Sequence, residues 1–118
     1  MGMTITEKIL CRHTHLDRVH PGELISARVD LALANDITAP IAIAEFRRAG
    51  GTNVFDRHRI ALVCDHFTPN KDIDSAGQCR TVRAFAREQA IDHFYEGGNC
   101  GVEHALLPEQ GVVLPGEV

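Results

Sequence analysis

The residues with the greatest chemical capacity in this 118-residue chain fall in three short stretches. They are Asn35-Asp36-Ile37-Thr38, then Asp65-His66 inside VCDHFTPNKD, then Gly97-Gly98-Asn99-Cys100 running on to His104. Histidine titrates near neutral pH and can give or take a proton; a carboxylate beside it can fix its tautomer and raise its pKa. Asp65 and His66 therefore make an acid–imidazole pair suited to general acid–base work. Adjacent strand residues point to opposite faces, so Asp65 reaches His66 only if the chain has already turned. In the plain structural alternative, Asp65 caps the Thr-Pro-Asn turn and His66 is a satisfied, half-buried histidine. His104 lies beside Glu103 on a short helical stretch, and Asp36 and Thr38 serve most simply as caps of the helix after them. Cys64-x-His66 and Cys100-x₃-His104 also offer zinc donors, although their spacing is that of neither a ribbon nor a finger. His13, His15 and His20 read as solvated loop histidines rather than a metal tract.

The elements that must position these groups can be read from periodicity. Residues 4–12 suggest a helix, with Thr4 as cap and Glu7 at capping-box spacing. Residues 24–33 alternate apolar and polar, which predicts a strand with one polar face. Thr38 is the expected N-cap of a second helix, with Pro40 in its first turn and Gly50-Gly51 as its stop. Residues 59–64 form a short continuous apolar run, as in a strand covered on both faces. A long helix is expected over 71–90, on a stripe of Ile73, Ala76, Cys79, Val82, Phe85, Ala86 and Ala90. Gly77 inside it marks either a weak turn or a close approach. A third strand is expected over 91–95, a short helix over 102–109, and the last eight residues read as the approach to another strand. Strand and helix alternate, which predicts an α/β domain of three-layer type, with a mostly parallel sheet and helical crossovers. In such sheets functional groups gather beyond the carboxyl ends of the strands, and all three polar stretches fall there.

Bulk properties narrow the function classes. One domain over residues 1–118 is the expectation, with 44% hydrophobic and 24% charged residues, a globular composition. A net charge of −4 gives no basic face for nucleic acid. No apolar run is long enough to span a membrane, and no secretion signal is visible, so a cytoplasmic compartment with four reduced cysteines is expected. Met1-Gly2 is a possible lipidation start but reads more simply as a cloning remnant.

At the three polar stretches the sequence becomes recognisable. VDLALANDITAPIAIAEFRRAG, LVCDHFTPNKD and GVEHALLPEQGVVLPGEV resemble, in that order, the N-terminal region of the aconitase superfamily, nearest its isopropylmalate branch and next its homoaconitate branch. The resemblance implies part of the first domain of an aconitase-type large subunit, a hydro-lyase that isomerises a hydroxy-diacid by removing water and adding it back. It also implies a [4Fe–4S] cluster held by three cysteine thiolates and acting as a Lewis acid. By the same resemblance His66 is the histidine that protonates the departing hydroxyl, Asp65 its acidic partner, and His104 a second catalytic histidine. Asp36 and Thr38 fall where substrate contacts are expected. The serine base belongs to a swivelling domain or a separate small subunit, the implied partner. Pro40 stands where aconitases carry a substrate-contacting glutamine, which argues against citrate. No Cys-x-x-Cys pair and no Asp-Ser-His motif occur. The expectation is therefore an incomplete first domain that by itself holds no cluster, is inactive, and self-associates through its unpaired apolar surface.

Overall fold

Three strands form where the chain can pair in parallel and cover both faces. The computed structural model describes residues 2–118. Its elements, in chain order, are α1 (Ile5–His13), β1 (Ala32–Asn35), α2 (Thr38–Arg48), β2 (Ile60–Val63), α3 (Ile73–Glu88), β3 (His93–Tyr95) and α4 (Glu103–Glu109). The sheet order is β1-β2-β3, parallel throughout, with Asn35 beside Val63 and Val63 beside Tyr95. All three strands therefore end at one edge.

The central strand β2 shows why its sequence is apolar without interruption. Leu62, and Cys64 just past the strand, face a core made with Ala39 and Ile43 of α2 and Val82, Phe85 and Ala86 of α3. Ala61 and Val63 face the other way, against Leu107 of α4. Helices thus cover both sides of the sheet, the three-layer α/β arrangement expected from alternation of elements. β1 lies at one edge of the sheet, beside an apolar groove lined by Leu33, Phe46 and Phe55 among others.

Local signals account for most helix ends. Thr4 Oγ1 accepts from the Glu7 amide while Glu7 Oε2 accepts from the Thr4 amide at 2.7 Å, so the capping box is real. Asp72 caps α3 in the same reciprocal way with Ser75. The stop of α2 places Gly50 at φ +83, where glycine carries no Cβ penalty, and Gly51 N–H closes back on the Phe46 carbonyl. α3 ends in the same pattern, with Ile91 N–H on the Ala86 carbonyl, but its left-handed residue is Ala90 at φ 52.

Several expectations are corrected. Residues 24–31 are not a strand; β1 begins only at Ala32, where Ile60 comes alongside. Ile25 and Ala27 of that stretch are half-buried but Val29 is exposed, and no neighbouring strand pairs with it. Its backbone is held by single bonds, Arg28 N–H to His13 O and Asp30 N–H to Val118 O. β3 is shorter than 91–95 because Ile91 turns into the α2/α3 core before pairing begins. Ile73 and Ala76 are exposed, and Ser75 takes the buried face of α3 with Cys79, Val82 and Phe85. Thr38 is the first helical residue rather than the cap. No strand forms over 111–118; Val112 and Val113 pack against the α4 side of the core instead. His13 is not a loop residue: it closes α1, with Nε2 2.5 Å from Asp30 Oδ2.

Gly77 has no heavy atom within 4 Å of where a Cβ would sit, so it is a weak helical position and not a close approach. Two reciprocal substitutions therefore stabilise the chain. Gly77→Ala is expected to add about 1 kcal/mol, and Ala90→Gly to add up to about 1 kcal/mol by relieving the left-handed alanine. Urea unfolding measures both; a loss of stability in either would contradict these backbone assignments.

Candidate active site

The ends of β1 and β2 and the start of α4 converge on one group of carboxylates and imidazoles. Asp36, just past β1, is fully buried, and its two oxygens accept from the backbone amides of His66 at 3.2 Å and Phe67 at 2.8 Å. These two bonds turn the chain sharply after β2. The turn is what lets Asp65 reach its own neighbour: Asp65 Oδ1 lies 2.6 Å from His66 Nδ1. Asp65 Oδ2 accepts from the Glu103 amide at 2.8 Å and so ties the start of α4 to the same loop.

Neither structural alternative for these acids holds. Asp65 does not cap the Thr-Pro-Asn turn, and Asp36 does not cap α2. The capping work at α2 falls to Asn35, whose Oδ1 accepts from the amides of Ile37 and Thr38. The Thr38 hydroxyl donates to that same oxygen and accepts from the Asn35 amide. Thr38 therefore shapes the turn that carries Asp36.

The carboxylate at Nδ1 fixes the working tautomer of His66. Since Asp65 can only accept, Nδ1 carries a hydrogen, and Nε2 is the nitrogen left to face outward. The hydrogen bond to Asp65 raises the His66 pKa above its ordinary value, against a smaller opposing effect of desolvation; Asp65, Glu103 and Asp36 add their negative charge. The His66 side chain is 43% exposed, so it remains open to a ligand.

His104 is joined to this group less directly. It projects from α4 with its side chain 79% exposed, and its Nε2 is 3.4 Å from Glu103 Oε1. The residues that local spacing did not single out are Glu103 and Asn35. Glu103 is buried, its Oε1 accepts from Asn35 Nδ2 at 3.2 Å, and its Oε2 has no hydrogen-bond partner. A signal was available: Glu103 lies one helical turn before Leu107, the other buried residue of α4, so both share one face.

The thiols do not form the zinc pairs that the spacing allowed. Cys64 sits in the core with its Sγ near Cys79 and Asp36, and burial pushes its pKa far up. Cys79 directs its Sγ to Asp36 Oδ2 at 3.6 Å, and Cys100 directs its own to the Cys64 carbonyl at 3.0 Å. Cys11 lies on α1 against Met3. This donor set does not fit an iron–sulfur cluster. Cys64 and Cys79 lie together against the buried Asp36 carboxylate, no third thiol joins them among the described residues, and burial disfavours the thiolate at Cys64 and Cys100.

No family model matches the chain. Among curated proteins, it is 70% identical over all its 118 residues to the 3-isopropylmalate dehydratase large subunit of Syntrophus aciditrophicus. It is 62% identical over the same residues to that of Desulfatibacillum aliphaticivorans, and 58% to large subunit 1 of Pyrococcus abyssi. In each case the chain covers 28% of the relative's own length.

Asp65→Asn replaces the acceptor with a neutral amide and is expected to lower the His66 pKa toward its ordinary value. Histidine ring resonances followed by NMR across the neutral range read this directly. The linked stability has a definite sign. A raised folded pKa contributes stability below the unfolded pKa, and this is lost as pH rises through the folded value. The Asp65→Asn chain should lack that increment. An unmoved His66 titration would show that Asp65 does not control the imidazole.

Proposed function

Since the chain is homologous along its whole length to part of the 3-isopropylmalate dehydratase large subunit, in the aconitase superfamily, we propose that it supplies the proton-donating side of that hydro-lyase. It stands in this reading as the N-terminal part of the large subunit. The proposed reaction exchanges 2-isopropylmalate and 3-isopropylmalate by dehydration and rehydration, a step toward leucine, with homoaconitate as the alternative hydroxy-diacid.

One observation carries the reading: the 2.6 Å contact of Asp65 with His66 Nδ1, on an imidazole whose side chain is still 43% exposed. Hydroxide is a poor leaving group, and eliminating it requires a proton at the hydroxyl oxygen. Protonated His66 donates from Nε2 while Asp65 holds Nδ1–H and balances the charge. In the reverse direction neutral Nε2 takes a proton from water as it adds. His104, joined to Asp65 through Glu103, is the second imidazole of the centre. Asp36 and Thr38 form the strand-end turn beneath it, on the substrate side.

The [4Fe–4S] cluster that the homology implies supplies Lewis acidity when bound. The buried thiols of this chain are unsuited to hold it, so we assign its ligands to sequence outside these 118 residues. The base that takes the carbon-bound proton, and the small subunit that completes the dehydratase, are assigned there too. No helix among the described residues is long and apolar enough to cross a membrane, and the four cysteines are free. Together these support a cytoplasmic location.

In the assembled dehydratase, His66→Asn is expected to lower kcat by roughly 10²–10⁴-fold with a smaller change in KM. The appearance of the unsaturated diacid gives the rate, and an unchanged kcat would remove His66 from the chemistry. The 118-residue chain purified alone is expected to show neither iron–sulfur absorbance after reconstitution nor turnover; either signal would mean that its own thiols bind the cluster.

A further inference from the structure

Two thiols and a carboxylate from three separate elements meet behind the turn that carries His66. Cys64 follows β2, Cys79 lies on α3 and Asp36 follows β1, and one donor atom of each lies within 4.8 Å of the others. Local spacing offered Cys64 with His66 and Cys100 with His104; only the fold brings Cys64 to Cys79. The proton-donor pair uses neither thiol.

The geometry matches a tetrahedral cation. A zinc ion with sulfur at ~2.3 Å and oxygen at ~2.0–2.2 Å holds those two atoms about 3.6 Å apart. Cys79 Sγ and Asp36 Oδ2 are 3.6 Å apart. Metal ligands also need an outer layer of hydrogen bonds to orient them, and one is in place. The amides of His66 and Phe67 hold the two oxygens of Asp36, and Asn70 Nδ2 donates to Cys79 Sγ at 3.2 Å. Access comes from the thiol side. Cys64 and Cys79 both line a cavity of about 630 Å³, together with Asn70, Arg83, Arg87 and Glu96. The carboxylate needs no opening of its own, because Oδ2 lies one tetrahedral edge from a sulfur that the cavity reaches.

We propose that Cys64, Cys79 and Asp36 bind one divalent cation of the zinc class, with the fourth position taken by water from the cavity. Binding exchanges protons for metal: two S–H bonds give way to two metal–sulfur bonds, and both protons leave to solvent. Burial keeps the Cys64 thiol protonated without metal, and the charge of the cation offsets that cost. Two thiolates and one carboxylate leave the loaded centre with a single net negative charge. Arg83 and Arg87 line the same cavity, with Arg83 also paired to Glu96 at 2.6 Å. The ion ties the ends of β1 and β2 to α3 beneath the His66 turn. Zinc binding here is independent of the dehydratase reading.

The test adds zinc to the metal-free 118-residue chain and reads the bound ion by X-ray absorption. One ion per chain is expected, with two sulfur neighbours at about 2.3 Å, oxygen in the remaining positions, and two protons released on binding. Cys64→Ala or Cys79→Ala is expected to weaken binding by more than about a hundredfold, since loss of even an outer-shell partner costs about 10–100-fold. The double variant Cys11→Ser/Cys100→Ser, which removes the other two thiols, should keep the two-sulfur signature. Nitrogen and oxygen neighbours alone would put the ion on Asp36, Asp65 and His66 or on surface histidines instead. That result, a single sulfur, loss of the signature in the double variant, or no binding at micromolar zinc would each overturn the proposal.

Discussion

The site depends on one buried carboxylate. Asp36 sits just past the end of β1 with no exposure, and its oxygens take the amides of His66 and Phe67. A buried acid without such donors would be costly, and two backbone amides satisfy it. Because the bonds run from one strand end to the loop after the next, they fix where β2 stops. They also fix how its last residues emerge. Cys79 of α3 closes on the same carboxylate, so sheet and helix layers meet at this point.

The chemistry follows from that turn. An aspartate and a histidine adjacent along a strand would point apart; placed after a bend they bond to each other. Asp65 then uses its second oxygen to hold the start of α4, and α4 brings Glu103 and His104 to the edge. Three acids and two imidazoles end in one place although no two of the contributing stretches are close in sequence. Such a centre is rich in proton acceptors and acidic in character. In the proposed reaction it suits handling a hydroxyl and its proton, and the two negative charges of a diacid would need groups of opposite sign.

Much of this was legible in the sequence where the cause is local. The Thr4/Glu7 box, the stop at Gly50 and the unbroken apolar run of β2 each reflect interactions within a few residues, and they appear where the pattern places them. The Asp65–His66 pair was also visible, together with the condition that the chain must turn first. The source of that turn was not. Asp36 looks like a helix cap by type and position, but its partners lie 30 and 31 residues away, and no short-range pattern encodes that. The first strand was misplaced for the opposite reason. Alternation over 24–33 is a local pattern, whereas a strand needs a neighbour, and β2 comes alongside only from Ala32. Glu103 was passed over because an acid beside a histidine on a short helix reads as surface; its spacing from Leu107 says otherwise.

The central claim is that Asp65 sets the proton-donating state of His66 in a dehydratase. The most direct measurement is the pH dependence of the dehydration rate for the assembled enzyme with Asp65 and with Asp65→Asn. In the proposed mechanism protonated His66 is the active form, so the rate should fall as pH rises through its raised pKa, and removing the carboxylate should move that falling limb to lower pH. A limb that stays in place while the overall rate changes would mean that the titrating donor is another group, and the account given for Asp65 and His66 would be wrong.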